Sequence, residues 1–431
     1  MSTTNRSAVL LLAAMAASVA ATAQAIPENA SDQGIWLGGA VNLSPFVEAG
    51  YIHDSNPNNM RKQKKDLLKE NDVDAAKSAD GYMVRPGVNI SVPGNCWNLA
   101  GRAYYRMERY SSDEVDDRDD WGESLTFSGE TDGGLMWRLA ESIVQVDLEE
   151  QFDGEFPNNY STHDRLEMVF DGMLSKRITE KCSLEVGGSY SKTDYDSDKL
   201  YDYYRYGGRL GFAHQLTEKT DWTLSASHTI HEQESNSDEL DDADKTKSTK
   251  LMAGVRSRST ERLAFDVKGG IEFYEGNDNE DGSSNDKTTF TYALGTTWKA
   301  SERLSVGLRG LGEYVPSEDV YGSAVDSKSI GVTAAYRIFE RWRLSAGLTY
   351  RREEYEHRVA KITDANGNPY SVSDSGSSRD DDIIELSGRV SYSISNFASI
   401  YASCTYYDLS SSISDFDYDR TRYSVGAAIR Y

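Results

Sequence analysis

The stretch Arg422-Tyr423-Ser424-Val425-Gly426-Ala427-Ala428-Ile429-Arg430-Tyr431 alternates without a break. Tyr423, Val425, Ala427, Ile429 and Tyr431 share one face, and Arg422, Ser424, Gly426, Ala428 and Arg430 share the other. A period of two with one apolar and one cationic face marks a β-strand that separates oil from water. Chain ends usually fray into polar tails. A strand carried through to an aromatic residue therefore suits the closing strand of a membrane barrel.

Upstream, the same alternation returns in about eighteen segments from Leu43 onward, each long enough for the roughly 9–11 residues of a tilted barrel strand. Trp97-Leu99-Gly101-Ala103-Tyr105-Met107 is opposed by Asn98, Arg102, Tyr104, Arg106 and Glu108. Leu263-Phe265-Val267-Gly269-Ile271-Phe273 is opposed by Arg262, Asp266, Lys268 and Glu272. The connections alternate as well. Short turns occur at Pro93-Gly94-Asn95, Thr131-Asp132-Gly133, Thr179-Glu180-Lys181, Thr217-Glu218-Lys219, Thr260-Glu261-Arg262, Ser301-Glu302-Arg303, Phe339-Glu340-Arg341 and Ser395-Asn396. Between them lie longer loops rich in Asp, Asn, Ser and Gly. Short turns on one side and long loops on the other predict an all-β, antiparallel, up-and-down transmembrane barrel. The expected form has eighteen strands, short periplasmic turns and long acidic extracellular loops. Sixteen strands is the alternative, because the first strand (Leu43 to His53) is weakly patterned and Glu141 interrupts the alternation of the fifth.

Aromatic placement agrees. Trp97, Trp137, Trp222, Trp298 and Trp342 lie near short turns, whereas Tyr51, Tyr190, Tyr350 and Tyr406 lie toward the long loops. Two aromatic belts around an aliphatic band match the two headgroup levels of a bilayer. A mean hydropathy of −0.62 fits such a wall, since half of each strand faces water and the loops are polar. The N-terminus reads as a secretory signal peptide over residues 1–25: Arg6, an apolar stretch from Ala8 to Ala21, and the cleavage pattern Ala23-Gln24-Ala25 before Ile26. Residues 26–42 are expected to form a periplasmic segment and residues 43–431 the barrel.

The net charge is −24. Asp113 to Asp120 holds six acids and one Arg, and Glu232 to Asp244 holds seven acids and no base. Such runs exclude nucleic acid as a partner and read as solvated loops, with divalent-cation bridging to lipopolysaccharide as the sharper alternative. Cys96, Cys182 and Cys404 are an odd number at scattered positions, which argues against a disulfide framework. No enzyme signature is present: there is no Gly-x-Ser-x-Gly, no His-Glu-x-x-His and no Gly-rich phosphate loop. His228 and His231 would point to opposite faces of a strand and cannot share a metal. The chain is therefore not expected to be an enzyme or to carry a cofactor. The one candidate cation site is a calcium turn at Asp364-Ala365-Asn366-Gly367-Asn368-Pro369, whose spacing is not that of an EF-hand.

Two resemblances carry further implications. Ser424, Gly426, Ile429 and Tyr431 resemble the C-terminal assembly signal of bacterial outer-membrane proteins, which implies the barrel-assembly machinery as a partner and the outer membrane as the location. The strand end Gly50-Tyr51-Ile52-His53-Asp54-Ser55-Asn56 and the block from Lys176 to Tyr190 resemble the β-barrel porin 2 family of bacterial outer-membrane proteins. That family implies an outer-membrane barrel, porin-like or linked to exopolysaccharide, and defines no ligand residues.

Eighteen strands enclose more space than side chains fill, so an aqueous channel follows. By phase, the inward bases are Arg102, Arg106, Arg205, Arg209, Arg256, Arg309, Arg337, Arg343, Arg389 and Arg422. The inward acids are Glu108, Glu167, Asp171, Glu185, Asp266, Glu272, Glu313 and Glu385. They either filter solutes by charge or pair with one another across strands. Tyr104, Tyr203, Tyr401 and Tyr407 share the inward phase, as a sugar-stacking track or as wall packing. Constriction would come from the loop Pro57 to Asp80 or the loop Glu356 to Asp381. The expected function is passive diffusion of small polar solutes or ions. The alternative is a plugged barrel serving as scaffold, adhesin or part of an exopolysaccharide export system, with the segment Pro27 to Asn42 as a candidate plug. A homo-oligomer is compatible with either.

Overall fold

In the computed structural model, the described residues are 34–37, 40–57, 78–112, 115, 117–147, 164–196, 201–235, 244–276, 286–316, 324–355, 361–363, 369–371, 379–412 and 417–431. The expected signal peptide and most of both candidate constriction loops, including the candidate calcium turn up to Asn368, lie outside them. Every described element is a strand.

The wall begins with β1 (Ile35–Leu37), β2 (Val41–Asp54), β3 (Ala79–Pro93), β4 (Trp97–Tyr110), β5 (Arg118–Glu130) and β6 (Leu135–Asp147). It continues with β7 (Asp164–Arg177), β8 (Cys182–Tyr195), β9 (Tyr201–Thr217), β10 (Thr220–Ser235), β11 (Asp244–Ser257) and β12 (Leu263–Glu275). Then come β13 (Lys287–Lys299), β14 (Leu304–Pro316), β15 (Ala324–Arg337) and β16 (Trp342–Tyr355). A small separate hairpin, β17 (Lys361–Thr363) with β18 (Pro369–Ser371), precedes β19 (Arg379–Ser393), β20 (Ala398–Ser411) and β21 (Tyr418–Arg430). Each long strand pairs antiparallel with its neighbours, and β21 returns to β2 from Phe46↔Arg430 to Asp54↔Arg422. The sheet is thus a closed barrel of eighteen strands, β2 to β16 and β19 to β21. The weakly patterned β2 and the Glu141-bearing β6 are both full members, so the sixteen-strand alternative falls. All eight expected short turns join consecutive strands.

The apolar phase of each strand lies outside. Val425, Ile429 and Tyr431 are 61, 57 and 64% exposed. With Leu139, Leu174, Leu210, Leu251, Phe290, Leu348 and Leu386 they belong to an exposed apolar surface that runs around the wall. Water would not tolerate so continuous an apolar surface. A bilayer requires it, and the closed barrel removes every sheet edge that hydrocarbon would leave unsatisfied. The chain is an outer-membrane β-barrel.

The strands of 13 to 17 residues exceed the roughly 9–11 needed to cross, so they project beyond the bilayer. Rows of opposed residues climb around the wall. One row runs from Asn42 through Ser91, Ala100, Thr126 and Ala140, at the short-turn ends of their strands, and reaches Tyr274 at the long-loop end of β12. That drift is the strand tilt of a barrel.

Three local features depart from the sequence pattern. Glu141 occupies the middle of β6 in the outward phase, opposed by Leu125 and Phe170. It lines a hollow of about 1230 Å³ on the outer wall, floored by Gly172, Gly188 and Gly208 and flanked by Trp97, Phe127 and Tyr190. Second, β13 and β14 pair over eight positions only, from Tyr292↔Gly312 to Lys299↔Ser305. Beyond them Tyr314 turns into the lumen: its N–H donates to the Glu272 carboxylate at 3.1 Å, and its ring packs on Tyr274 at 5.7 Å. Third, β1 lies on the same edge of β2 as β21 does. Tyr431 N–H donates to Pro45 O at 2.9 Å, and the next pair along that edge of β2 is Ile35↔Leu43. Tyr431 thus closes the barrel against the first strand, two residues from Leu43, which itself pairs with Ile35. The expected periplasmic segment 26–42 accordingly holds strand residues, since β2 already begins at Val41.

Candidate functional site

The inner wall carries the polar phase, and the structure places Arg102, Arg106, Glu108, Arg205, Arg209, Arg256, Asp266, Glu272, Arg309, Glu313, Arg337, Arg343, Glu385 and Arg389 on it. All but Arg205 and Glu385 fall into two groups by their partners.

The first group is paired. On β4 and β5, Arg106 Nε donates to Asp120 at 2.6 Å, and Glu108, 1% exposed, accepts from Arg422 and from Tyr110 Oη at 3.0 Å. Arg209 holds Asp171 through two N–H donors at 2.9 and 3.1 Å. Arg256 reaches Asp266 at 3.0 Å, its direct cross-strand neighbour, with Glu185 at 3.8 Å. Lys250 bridges Glu313 and Glu272, and Ser248 Oγ donates to the same Glu272. Arg165 pairs with Glu167 at 2.5 Å. Near the long-loop rim Arg420 grips Asp54 with Nε at 3.0 Å, and Arg118 donates to Pro57 O at 2.8 Å. Asn56 Nδ2 donates to Asp419 O at 2.9 Å, so the root of the first long loop is tied to the inner wall. Buried charge survives only when paired and hydrogen-bonded, and these residues meet that condition.

The second group is different. From β14 through β21 and β2 to β4, the short-turn half of the inner wall presents Arg309, Arg337, Arg343, Arg389, Arg430, Arg85 and Arg102. Two carboxylates sit among them: Glu385, in the same ladder row as Arg309, and Glu48. Glu48, 3% exposed, accepts from Arg389 at 2.9 Å and from Arg85. Arg430 and Arg102 lie within electrostatic reach of it. Aromatic rings hold several of these guanidinium groups in place: Arg389 lies 3.8 Å over Tyr401, and Arg102 lies 4.7 Å over Phe46 and 5.8 Å over Tyr104. Such contacts fix a cation without neutralising it. Arg309, Arg337 and Arg343 are exposed to the lumen, and among the described residues no carboxylate pairs with them. Arg337 and Arg343 are moreover direct cross-strand neighbours.

The inward tyrosines make wall contacts. Tyr407 stacks on Tyr418 at 5.2 Å and Tyr203 meets Tyr195 at a tilt with ring centroids 6.4 Å apart, while Tyr401 and Tyr104 underlie the arginines. His231 faces inward and is buried, whereas His228 faces outward and meets Thr249 Oγ1 at 2.9 Å. The three cysteines are free, and Cys182 Sγ lies 3.2 Å from His214 Nδ1. No group of three or more metal-binding side chains occurs among the described residues.

Glu48, Arg85 and Lys250 are inner-wall charges that the reading by phase did not name, and Lys268, placed on the polar face of its strand, was not among the wall candidates. In β2 both faces carry apolar side chains, Phe46 and Ile52 inside and Val47 and Tyr51 outside, so its wet face is hard to tell from its dry one. For Lys250 and Lys268, strict counting from Leu251 and Val267 gives the inward position.

No protein-family model matches the chain, that of the β-barrel porin 2 family included, and no curated protein matches it. Among solved structures it is similar to the siderophore receptor PirA from Pseudomonas aeruginosa, at 12% identity over 90% of this chain and 80% of that one, with a TM-score of 0.41. It is also similar to the FrpB iron transporter (F3-3 variant) from Neisseria meningitidis, at 8% identity over 85% and 62% of the two chains, TM-score 0.43. A third similar structure is the copper transporter OprC, at 9% identity over 85% and 61%, TM-score 0.45. The function is therefore read from the inner wall itself.

Proposed function

We propose that the chain is an outer-membrane channel for passive diffusion of small hydrophilic solutes or ions. The observation that carries this reading is the set of lumen-exposed arginines, Arg309, Arg337 and Arg343, which have no carboxylate partner among the described residues. A guanidinium stays charged at any physiological pH, and a charge without a partner needs water around it. An inner wall that keeps several such groups suits a wet lumen. The paired residues on the facing wall supply acids such as Asp171, Glu185 and Asp266, so a passing solute meets bases on one side and mixed charge on the other, an arrangement that orients and filters polar solutes.

A second reading, the occluded barrel acting as scaffold, adhesin or export component, is favoured by the buried root of the first long loop at Asp54 to Pro57 and by the inward-turned Tyr314. The described part of the candidate plug argues against its own role, since Ile35–Leu37 lies on the edge of β2 and not in the lumen. Planar-bilayer recording on the purified, folded barrel decides between the two. Stepwise conductance is expected, and a folded barrel that never conducts overturns the channel reading.

A further inference from the structure

We propose that the arginine arc of the short-turn half is a binding surface for small oxyanions of the phosphate type, so that the channel draws anions through a chain whose net charge is strongly negative. This rests on the channel reading above and assigns it a solute class.

The decisive geometry is at Arg337 and Arg343. Directly opposed residues on antiparallel strands stand with Cβ atoms about 4.5–5.5 Å apart, and like charges so placed repel. Elsewhere on the inner wall, opposed positions are used in the opposite way, as in Arg106↔Asp120 and Arg256↔Asp266. Here no described carboxylate relieves the pair. Ser345 and Ser391 flank it in the ladder, and Arg389, one further inward position along β19, faces Ser345. Three guanidinium groups and two hydroxyls thus share a patch of inner wall, and only Arg389 has a carboxylate partner.

A guanidinium offers N–H donors in a planar fork that fits the edge of a phosphate or carboxylate. Two forks at neighbouring positions match an oxyanion with more than one charge and more than one free edge. A phosphate dianion meets both conditions, whereas chloride balances one charge and offers no edge. Arg309 on β14, Arg430 at the seam and Arg102 beyond it extend the positive field along the arc. Glu48, already bound by Arg85 and Arg389, and Glu385 are the acids set within the arc.

The test uses the full-length mature protein. In planar bilayers under a KCl gradient, the reversal potential is expected to have the sign of anion selectivity. Inorganic phosphate added to the bath is expected to lower chloride conductance in a saturable way. The Arg337→Ala/Arg343→Ala double variant should raise the phosphate concentration for half-block by about tenfold or more, because two charge-assisted contacts are lost. Arg343→Lys keeps the charge and removes the fork. It should retain the selectivity and weaken the block, which guards against a double variant that fails to fold. Cation selectivity, or anion selectivity without saturable phosphate block, overturns the inference and leaves the channel reading standing. Absence of conductance overturns the channel reading alone. In that case calorimetric titration of the detergent-solubilised barrel with phosphate decides the site: binding that the double variant loses supports it, and no binding overturns it.

Discussion

Glu48 accepts a 2.9 Å hydrogen bond from Arg389, a residue 341 positions away in the sequence, and also binds Arg85. The contact spans the closing seam, because β2 lies between the strand that carries Arg85 and the sheet that leads back to β19. Glu48 both joins the two ends of the barrel and lowers the charge of the arginine arc.

Replacing it separates those roles. Glu48→Gln keeps a hydrogen-bond acceptor of nearly the same shape and removes the charge, so the reversal potential should shift further toward anions while the barrel still folds. Glu48→Ala leaves two guanidinium groups facing each other across a small void. Loss of one member of a buried ionic cluster costs about 3–5 kcal/mol, so its unfolding midpoint in urea should fall well below that of the Gln variant.

Gly426 faces Gly50 across the same seam. A Cβ at Gly426 would stand 2.3 Å from Ala49 O and 2.9 Å from Gly50 Cα, with Tyr401 Oη at 2.7 Å. Gly426→Val therefore cannot close the seam without moving backbone. The expected outcome is loss of the compact, heat-modifiable band that a folded barrel gives in cold detergent electrophoresis. Ile429→Ala, on the lipid side, should leave that band in place.

Glu141 presents a carboxyl group to the bilayer at the middle of β6. Charged groups on the lipid face cost up to about 2–4 kcal/mol for bases at the midplane and less for acids. Glu141→Leu should then stabilise the folded barrel by less than about 2 kcal/mol, read from urea unfolding in lipid vesicles, without changing conductance. A destabilised variant would show that the hollow beside Glu141 holds a partner for it.

Arg420 and Asp54 form a buried ion pair at the root of the first long loop. Arg420→Ala leaves Asp54 buried without its base, at a cost of about 3–5 kcal/mol, and loosens the anchor of Asn56, whose backbone N–H donates to Asp54. Protease cleavage within residues 58–77 should quicken. If that root narrows the lumen, single-channel conductance should rise in the same variant.

Strand count, turn positions and the inward placement of the fourteen candidate wall residues could be read from the sequence, because a period of two and a change of connection length are local properties. Glu141 shows the limit of that reading from one side: it breaks the alternation, yet hydrogen bonding from β5 and β7 keeps its strand in place. Arg337 and Arg343 show the other limit. The sequence places both on the wet face, but only the register of β15 against β16 reveals that they face each other while Arg106 and Arg256 face acids. Glu48 required the closure itself, since Arg389 becomes its neighbour only when β21 meets β2. The inward turn of Tyr314 follows from pairing that β13 and β14 do not complete, and no repeat in the sequence records it.

The short strand at Ile35–Leu37 has a consequence for assembly. An open ladder at the rim of a barrel is a template for another chain. Residues Val41 to Leu43 would offer such a template, because β21 ends its pairing at Phe46. The protein covers this stretch with a patch from its own opposite end, laid in line with Tyr431 as if the last strand went on for three more residues. Until that patch is in place, a newly closed barrel is sealed toward the lipid and still adhesive at its short-turn lip.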